Sequence, residues 1–129
     1  NLVAFNVTAS SFKVTDALVQ KKVASALEGL DELWQKNEEP IVVLGALVWQ
    51  FRNMLKLSDV TASNAAQVAQ KFKLNPWVAQ KTLSALKNFS QAELKNIYQG
   101  LVDVDLAIKT GGKDGREALA DFVHSFLKA

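Results

Sequence analysis

Gly100-Leu-Val-Asp-Val-Asp-Leu-Ala-Ile-Lys-Thr-Gly-Gly-Lys-Asp-Gly-Arg-Glu-Ala-Leu119 is the stretch that decides the fold class. Leu101, Val104 and Ile108 recur at the three- and four-residue spacing that lines one face of a helix. Gly111-Gly112 follows, and a glycine just past a helix supplies the left-handed residue that stops it. Asp114 then stands where an N-cap belongs, with Glu117 three residues on, the outline of a capping box in its aspartate form. One helix ends, the chain turns and a second helix starts. This is a helical hairpin, and the stretch by itself carries no chemistry.

The same grammar continues in both directions. Ser90-Gln-Ala-Glu93 is a capping box that opens a helix with Leu94, Ile97, Tyr98 and Leu101 inward. Asn75-Pro76 reads as N-cap and first helical residue, and Ser63 or Asn64 as the cap of a short helix running to about Phe72. Pro40 fits the first turn of a helix that carries Leu44, Leu47, Val48, Phe51 and Leu55, with Glu38 and Glu39 at its positive dipole end. Val23, Leu27, Leu30, Leu33 and Trp34 share a face of an earlier helix whose end is expected to fray near Asn37. A short helix over about Phe12 to Val19 precedes it, and the last helix, after Asp114, buries Leu119, Phe122, Val123 and Phe126. No alternating strand pattern of any length occurs. The predicted fold is all-α, a compact bundle of about six to seven short helices joined by short loops. Residues 1–11 lack a helical period and read as an arm or the remnant of a preceding domain, leaving 12–129 as the helical domain.

With 129 residues the chain has the size of one domain and can bury a real core. Its 49% hydrophobic content suits either a generous core or a face meant for other chains. The net charge of +2 comes from 15 basic and 13 acidic residues that are well mixed, without the basic stripe that phosphate binding calls for. The absence of cysteine excludes disulfides and thiolate metal sites and fits a cytoplasmic protein. The longest apolar run, Ile41 to Trp49, falls far short of the roughly 20 residues that cross a bilayer, so no membrane association is expected. The chain begins at Asn1 and shows no signal peptide, which reads as a piece of a longer protein.

No catalytic set emerges. His124 is the one histidine and reads as structural or surface-exposed, so a paired-histidine metal site is excluded. Asp103 and Asp105 stand two apart and point to different faces of a helix. Asp105 and Lys109 are four apart in the favourable acid-first order. They are either a helix-stabilising pair or a device that fixes the packing of the last two helices or touches a neighbouring chain. Gly111-Gly-Lys-Asp-Gly115 is no phosphate loop, because a helix precedes it and no hydroxyl follows the lysine. Neither catalytic residues nor a cofactor, nucleotide or metal are expected. Asn6-Val-Thr8 and Asn88-Phe-Ser90 match the glycosylation triplet, which means nothing without a secretory route.

Gln67 to Leu83 has the outline of a helix-turn-helix, with Gln80, Lys81 and Ser84 placed to reach base edges and Lys71, Lys73, Lys81 and Lys87 to contact phosphates. Lys73 in place of the usual turn glycine, and Trp77 near the start of the would-be reading helix, count against it. Trp34, Trp49 and Trp77 are many tryptophans for so small a domain. At least one is expected in the core, and any exposed one becomes a candidate for partner contact. Arg52, beside Phe51, is the candidate for a bidentate polar contact.

Four segments together resemble a known family. The run Asp105-Leu-Ala-Ile-Lys109-Thr-Gly111 with its following apolar helix is similar to the C-terminal region of the delta subunit of bacterial DNA polymerase III, part of the clamp loader. Phe12-Lys-Val-Thr-Asp16-Ala-Leu18, Glu38-Glu-Pro40 leading to Gln50-Phe51-Arg52, and Lys73-Leu-Asn-Pro76-Trp-Val agree in order and spacing, so the resemblance spans residues 12–129. It departs in the first eleven residues and in the loop from Ser58 to Ser63. The resemblance implies a collar domain that holds loader subunits in a ring. Its partners are subunits of the gamma/tau and delta-prime type, with the sliding clamp met only through a separate N-terminal domain and DNA touched indirectly at most. The domain itself would be no enzyme, although its parent belongs to a nucleotidyltransferase complex in DNA replication. Arg52, Trp77, Asp105 and Lys109 are its candidate interface residues. The alternative is a helix-turn-helix DNA-binding domain.

Overall fold

A computed structural model describes residues 9–58 and 65–128. Among these residues the chain forms seven α-helices: α1 Ala9–Val19, α2 Val23–Gln35, α3 Pro40–Ser58, α4 Ala65–Phe72, α5 Pro76–Leu86, α6 Gln91–Lys109 and α7 Gly115–His124, with a 3-10 turn over Ser125–Lys128. No strand occurs among them. Residues 1–8 and the expected caps Ser63 and Asn64 lie outside the described residues. Helix α1 starts at Ala9, three residues before the predicted Phe12.

Helices α1 and α2 form a hairpin, and α4 and α5 a second one. Between them run α3 and α6, each of 19 residues and so about 28 Å long. They are antiparallel, since Gln91 at the start of α6 donates from Nε2 to Ser58 Oγ at the end of α3 (3.4 Å). Helix α7 closes the bundle against α2, α3 and α6. The core is one cluster in which Leu18, Leu30, Leu33, Leu47, Phe51, Met54, Leu94, Leu101 and Leu119 are fully buried. Phe51 meets Phe89 edge-on at 6.2 Å and Phe126 at 6.3 Å, tying α3 to the α5–α6 turn and to the C-terminal turn. A smaller cluster of Leu57, Ala69 and Ala79 seats α4 and α5 on the end of α3.

The caps behave as the sequence predicts. Ser90 Oγ accepts from the Glu93 amide (3.1 Å) and Glu93 Oε1 accepts from the Ser90 amide (2.8 Å), a complete capping box. Asp114 makes one half of its box, accepting from the Glu117 amide (3.2 Å). Asn75 accepts from the Trp77 amide, with Pro76 opening α5. Gly111 has φ +71°, and the amides of Gly111 and Gly112 reach back to Ile108 and Ala107 in a Schellman stop. Asn37 does not fray: it adopts φ +61° and completes the same motif at the end of α2. Lys21 and Lys73, also left-handed, end α1 and α4 in the same way. Gly115 has a packing reason instead, since a Cβ there would stand 2.7 Å from Pro40 Cβ, where α7 crosses the start of α3.

A left-handed L-residue is strained by roughly 1–2 kcal/mol, and glycine is free of that strain but costs about 0.5–1 kcal/mol in chain entropy. Lys73→Gly should therefore raise stability by about 0.5 kcal/mol in urea unfolding. A loss of stability would show that the lysine side chain contributes more than its backbone costs.

Candidate functional site

Because α3 and α6 lie side by side, the outer flanks of their contact leave a trough. On α3 it is lined by Ile41, Leu44, Gly45, Val48 and Arg52, and on α6 by Tyr98, Leu101, Val102 and Asp105. Leu44 and Leu101 are buried and form the floor. The groove encloses about 350 Å³ and its surface is mainly apolar. Three large apolar side chains stay in solvent on these helices: Ile41 at 47%, Val102 at 46% and Leu106 at 61% exposure.

The polar groups sit on the rim. Arg52 Nε donates to Tyr98 Oη across the groove, a long contact of 3.4 Å that leaves the guanidinium exposed. Asp105 accepts Lys109 Nζ at 3.0 Å, one turn along α6. An exposed pair of this kind contributes only about 0.3–0.5 kcal/mol. Asp103 instead faces solvent and accepts from Gln99 (3.1 Å), so the two aspartates diverge as their spacing dictates. What the arrangement offers is apolar area with a hydrogen-bonding rim, the composition of a protein-binding groove.

Of the four candidate residues, Arg52 and Asp105 line this groove towards its two ends, and Lys109 is attached to it only through its ion pair with Asp105. Trp77 lies apart, at the start of α5, in a cleft between α1 and α5. It is 54% exposed, and Lys81 Nζ lies 5.0 Å from its ring centroid. None of the three tryptophans is fully buried. Trp34 packs half-buried on the core beneath the Arg116 guanidinium (5.2 Å), and Trp49 is half-buried. His124 is exposed at the end of α7.

Residues 8–126 match the family described as DNA polymerase III delta subunit, C-terminal domain. The chain belongs to this family. It is 29% identical over 129 residues to the DNA polymerase III subunit delta of Bacillus subtilis (strain 168), covering 98% of this chain and 37% of that protein. It shares its fold with the solved Bacillus subtilis DNA clamp loader delta protein, with a TM-score of 0.83 and 28% identity over 93% of this chain and 36% of that one. The chain thus spans little more than a third of the length of these relatives.

Membership in the delta C-terminal family leaves the helix-turn-helix reading without support. Lys81 is ion-paired to Asp16 of α1 at 2.8 Å, while Gln80 and Ser84 line the cleft that α5 shares with α1. No described helix is long and apolar enough to cross a membrane.

Sequence reasoning missed Ile41, Val102 and Leu106. A signal for the last two existed: they stand four apart and fall off the Leu94–Leu101–Val104–Ile108 stripe, so they cannot share its buried face. Ile41 was hidden because every residue from Ile41 to Trp49 is apolar or glycine.

The start of α6, which orients the groove's second wall, is held electrostatically. The Ser90 amide and then Lys21, 3.2 Å away, hold the Glu93 carboxyl below the usual carboxylate range. A depressed folded-state pKa adds stability that is present above the unfolded pKa and lost as pH falls through the folded one. Stability should thus decline on acidification through the carboxylate range, and Glu93→Gln should flatten that part of the profile of Tm against pH. An unchanged profile would sink this account of the α6 cap.

Proposed function

We propose that this chain is the collar domain of a clamp-loader delta subunit, holding that subunit to its neighbours by helix-on-helix contact. The observation that carries the reading is the family match over nearly the whole chain, joined to an apolar groove left open on its two longest helices. Its partners are the other loader subunits, of the gamma/tau and delta-prime type. The collar domain is then residues 12–129 together with residues 9–11, which begin α1 and fall within the family match. Arg52, Asp105 and Lys109 act at the groove rim, and Trp77 belongs to a second contact on the α5 side. The chain supplies position rather than catalysis and works in the cytoplasm, where replication takes place. Contact with DNA and with the sliding clamp belongs to the rest of the assembly.

Apolar burial drives such association, and it survives salt that screens surface charge. The chain should therefore bind immobilised gamma/tau-type ATPase subunits of the same source at both low and high salt. A double change, Ile41→Glu with Leu106→Glu, should weaken that binding at least tenfold while Tm stays near wild type, since both residues are already exposed. Salt-sensitive binding to a fluorescent duplex, with none to the subunits, would overturn the collar reading.

A further inference from the structure

The glycines of this bundle differ in one respect. A Cβ built on Gly29 would stand 2.7 Å from Val14 Cγ2, one on Gly115 2.7 Å from Pro40, and one on Gly100 3.4 Å from the Phe122 ring. In each case a neighbouring element of the domain occupies the space. Gly45 and Gly111 have nothing within 4 Å of such a Cβ, and Gly111 is accounted for by its φ of +71°, which leaves Gly45. It stands inside α3, where glycine is destabilising relative to alanine, and no packing within the domain accounts for it.

Its position gives the reason. Gly45 lines the α3–α6 groove, one turn from Ile41 on one side and from Val48 on the other. The missing side chain deepens the trough where a second backbone would come closest. A groove between two antiparallel helices takes a third helix, whose i, i+3, i+4 and i+7 side chains settle between the two ridges.

The charges around the groove are polarised along it. Extending its stripe on α3 by one turn past Arg52 reaches Lys56, and extending it on α6 by one turn before Tyr98 reaches Lys95, all three cations exposed. At the opposite end stand Asp105 and, just before α3, Glu38 and Glu39; Lys109, 3.0 Å from Asp105, offsets one of these carboxylates and leaves that end net negative. A docked helix has a negative C-terminal end and a positive N-terminal one, and it lies with lowest energy when its C-terminus is over the cations.

We propose that the α3–α6 groove seats one amphipathic helix of a neighbouring loader subunit. Its apolar ridge closes on Gly45 between Ile41, Val48 and Val102, and its C-terminal, acid-bearing end lies over Arg52. The proposal rests on the collar reading above and names the face and the occupant.

The test uses the same immobilised ATPase subunits, with Gly45→Trp, Gly45→Ala, Arg52→Glu and the remote Lys73→Gly. Gly45→Trp sets its Cβ in open space and lays its ring along the apolar trough, so its Tm should stay near that of wild type while its affinity falls at least tenfold. Gly45→Ala should raise Tm and lower affinity less than tryptophan does. Arg52→Glu should lose about tenfold at low salt, a difference that shrinks as salt rises, and Lys73→Gly should bind as wild type. Wild-type affinity in folded Gly45→Trp overturns the groove assignment and leaves the collar reading standing. Failure of the wild type itself to bind overturns the collar reading and this inference with it. Should Gly45→Trp not fold, undiminished binding by both Gly45→Ala and Arg52→Glu overturns the groove assignment.

Discussion

The antiparallel contact of α3 with α6, closed over the Phe51 ring, is the interaction on which the rest of the structure depends. Phe51 has no exposed surface, and its aromatic neighbours come from the turn before α6 and from the C-terminal turn. Burying a large apolar side chain contributes about 1.5–3 kcal/mol. Five ion pairs among the described residues, such as Lys21–Glu93 and Lys81–Asp16, join side chains that all keep a third or more of their surface in water. At such exposure a pair contributes about 0–1 kcal/mol. Core burial therefore holds the bundle together, and the surface charges settle details of helix registration.

Short loops impose the second constraint. Four helices end in the same left-handed stop, at Lys21, Asn37, Lys73 and Gly111, which turns the chain within three to five residues and satisfies carbonyls that would otherwise lack partners. Only one of the four is glycine. The other three accept backbone strain because the helices they join are fixed by packing on both sides. Where α7 meets α3 the constraint reverses: the chain needs the absence of a side chain at Gly115, so that Pro40 can lie against it.

A bundle closed this way spends its apolar residues unevenly. The inner faces of α3 and α6 are consumed by the core, while Ile41, Val102 and Leu106 remain outside on the same two helices. For a member of the delta C-terminal family, an apolar trough with cations at one end and carboxylates at the other suits a domain whose work is assembly. The groove lies on the two longest helices, both anchored in the core, so its shape is set by the fold itself.

Local signals settled much of this protein. The boxes at Ser90 and Asp114, the Asn75-Pro76 start, Pro40 in a first turn and the Gly111 stop are interactions among residues within six positions of one another, so their chemistry is written in the order of the chain. The apolar spacing likewise fixed the all-α class and the buried faces of α6 and α7. The left-handed stops at Lys21 and Lys73 were not legible, because lysine seldom takes that conformation and tertiary packing imposes it; Asn37 takes it readily, and its stop was misread as a frayed end. Nor was the groove. The uniformly apolar run from Ile41 to Trp49 gives every face of α3 the same sequence signature, and only the docking of α6 decides that Leu44 and Leu47 go inward while Ile41, Gly45 and Val48 look outward. Sequence order determined the capped helix starts and the glycine stop after α6; three-dimensional packing alone determined which apolar residues were left over, because burial is a property of neighbours that come from distant parts of the chain.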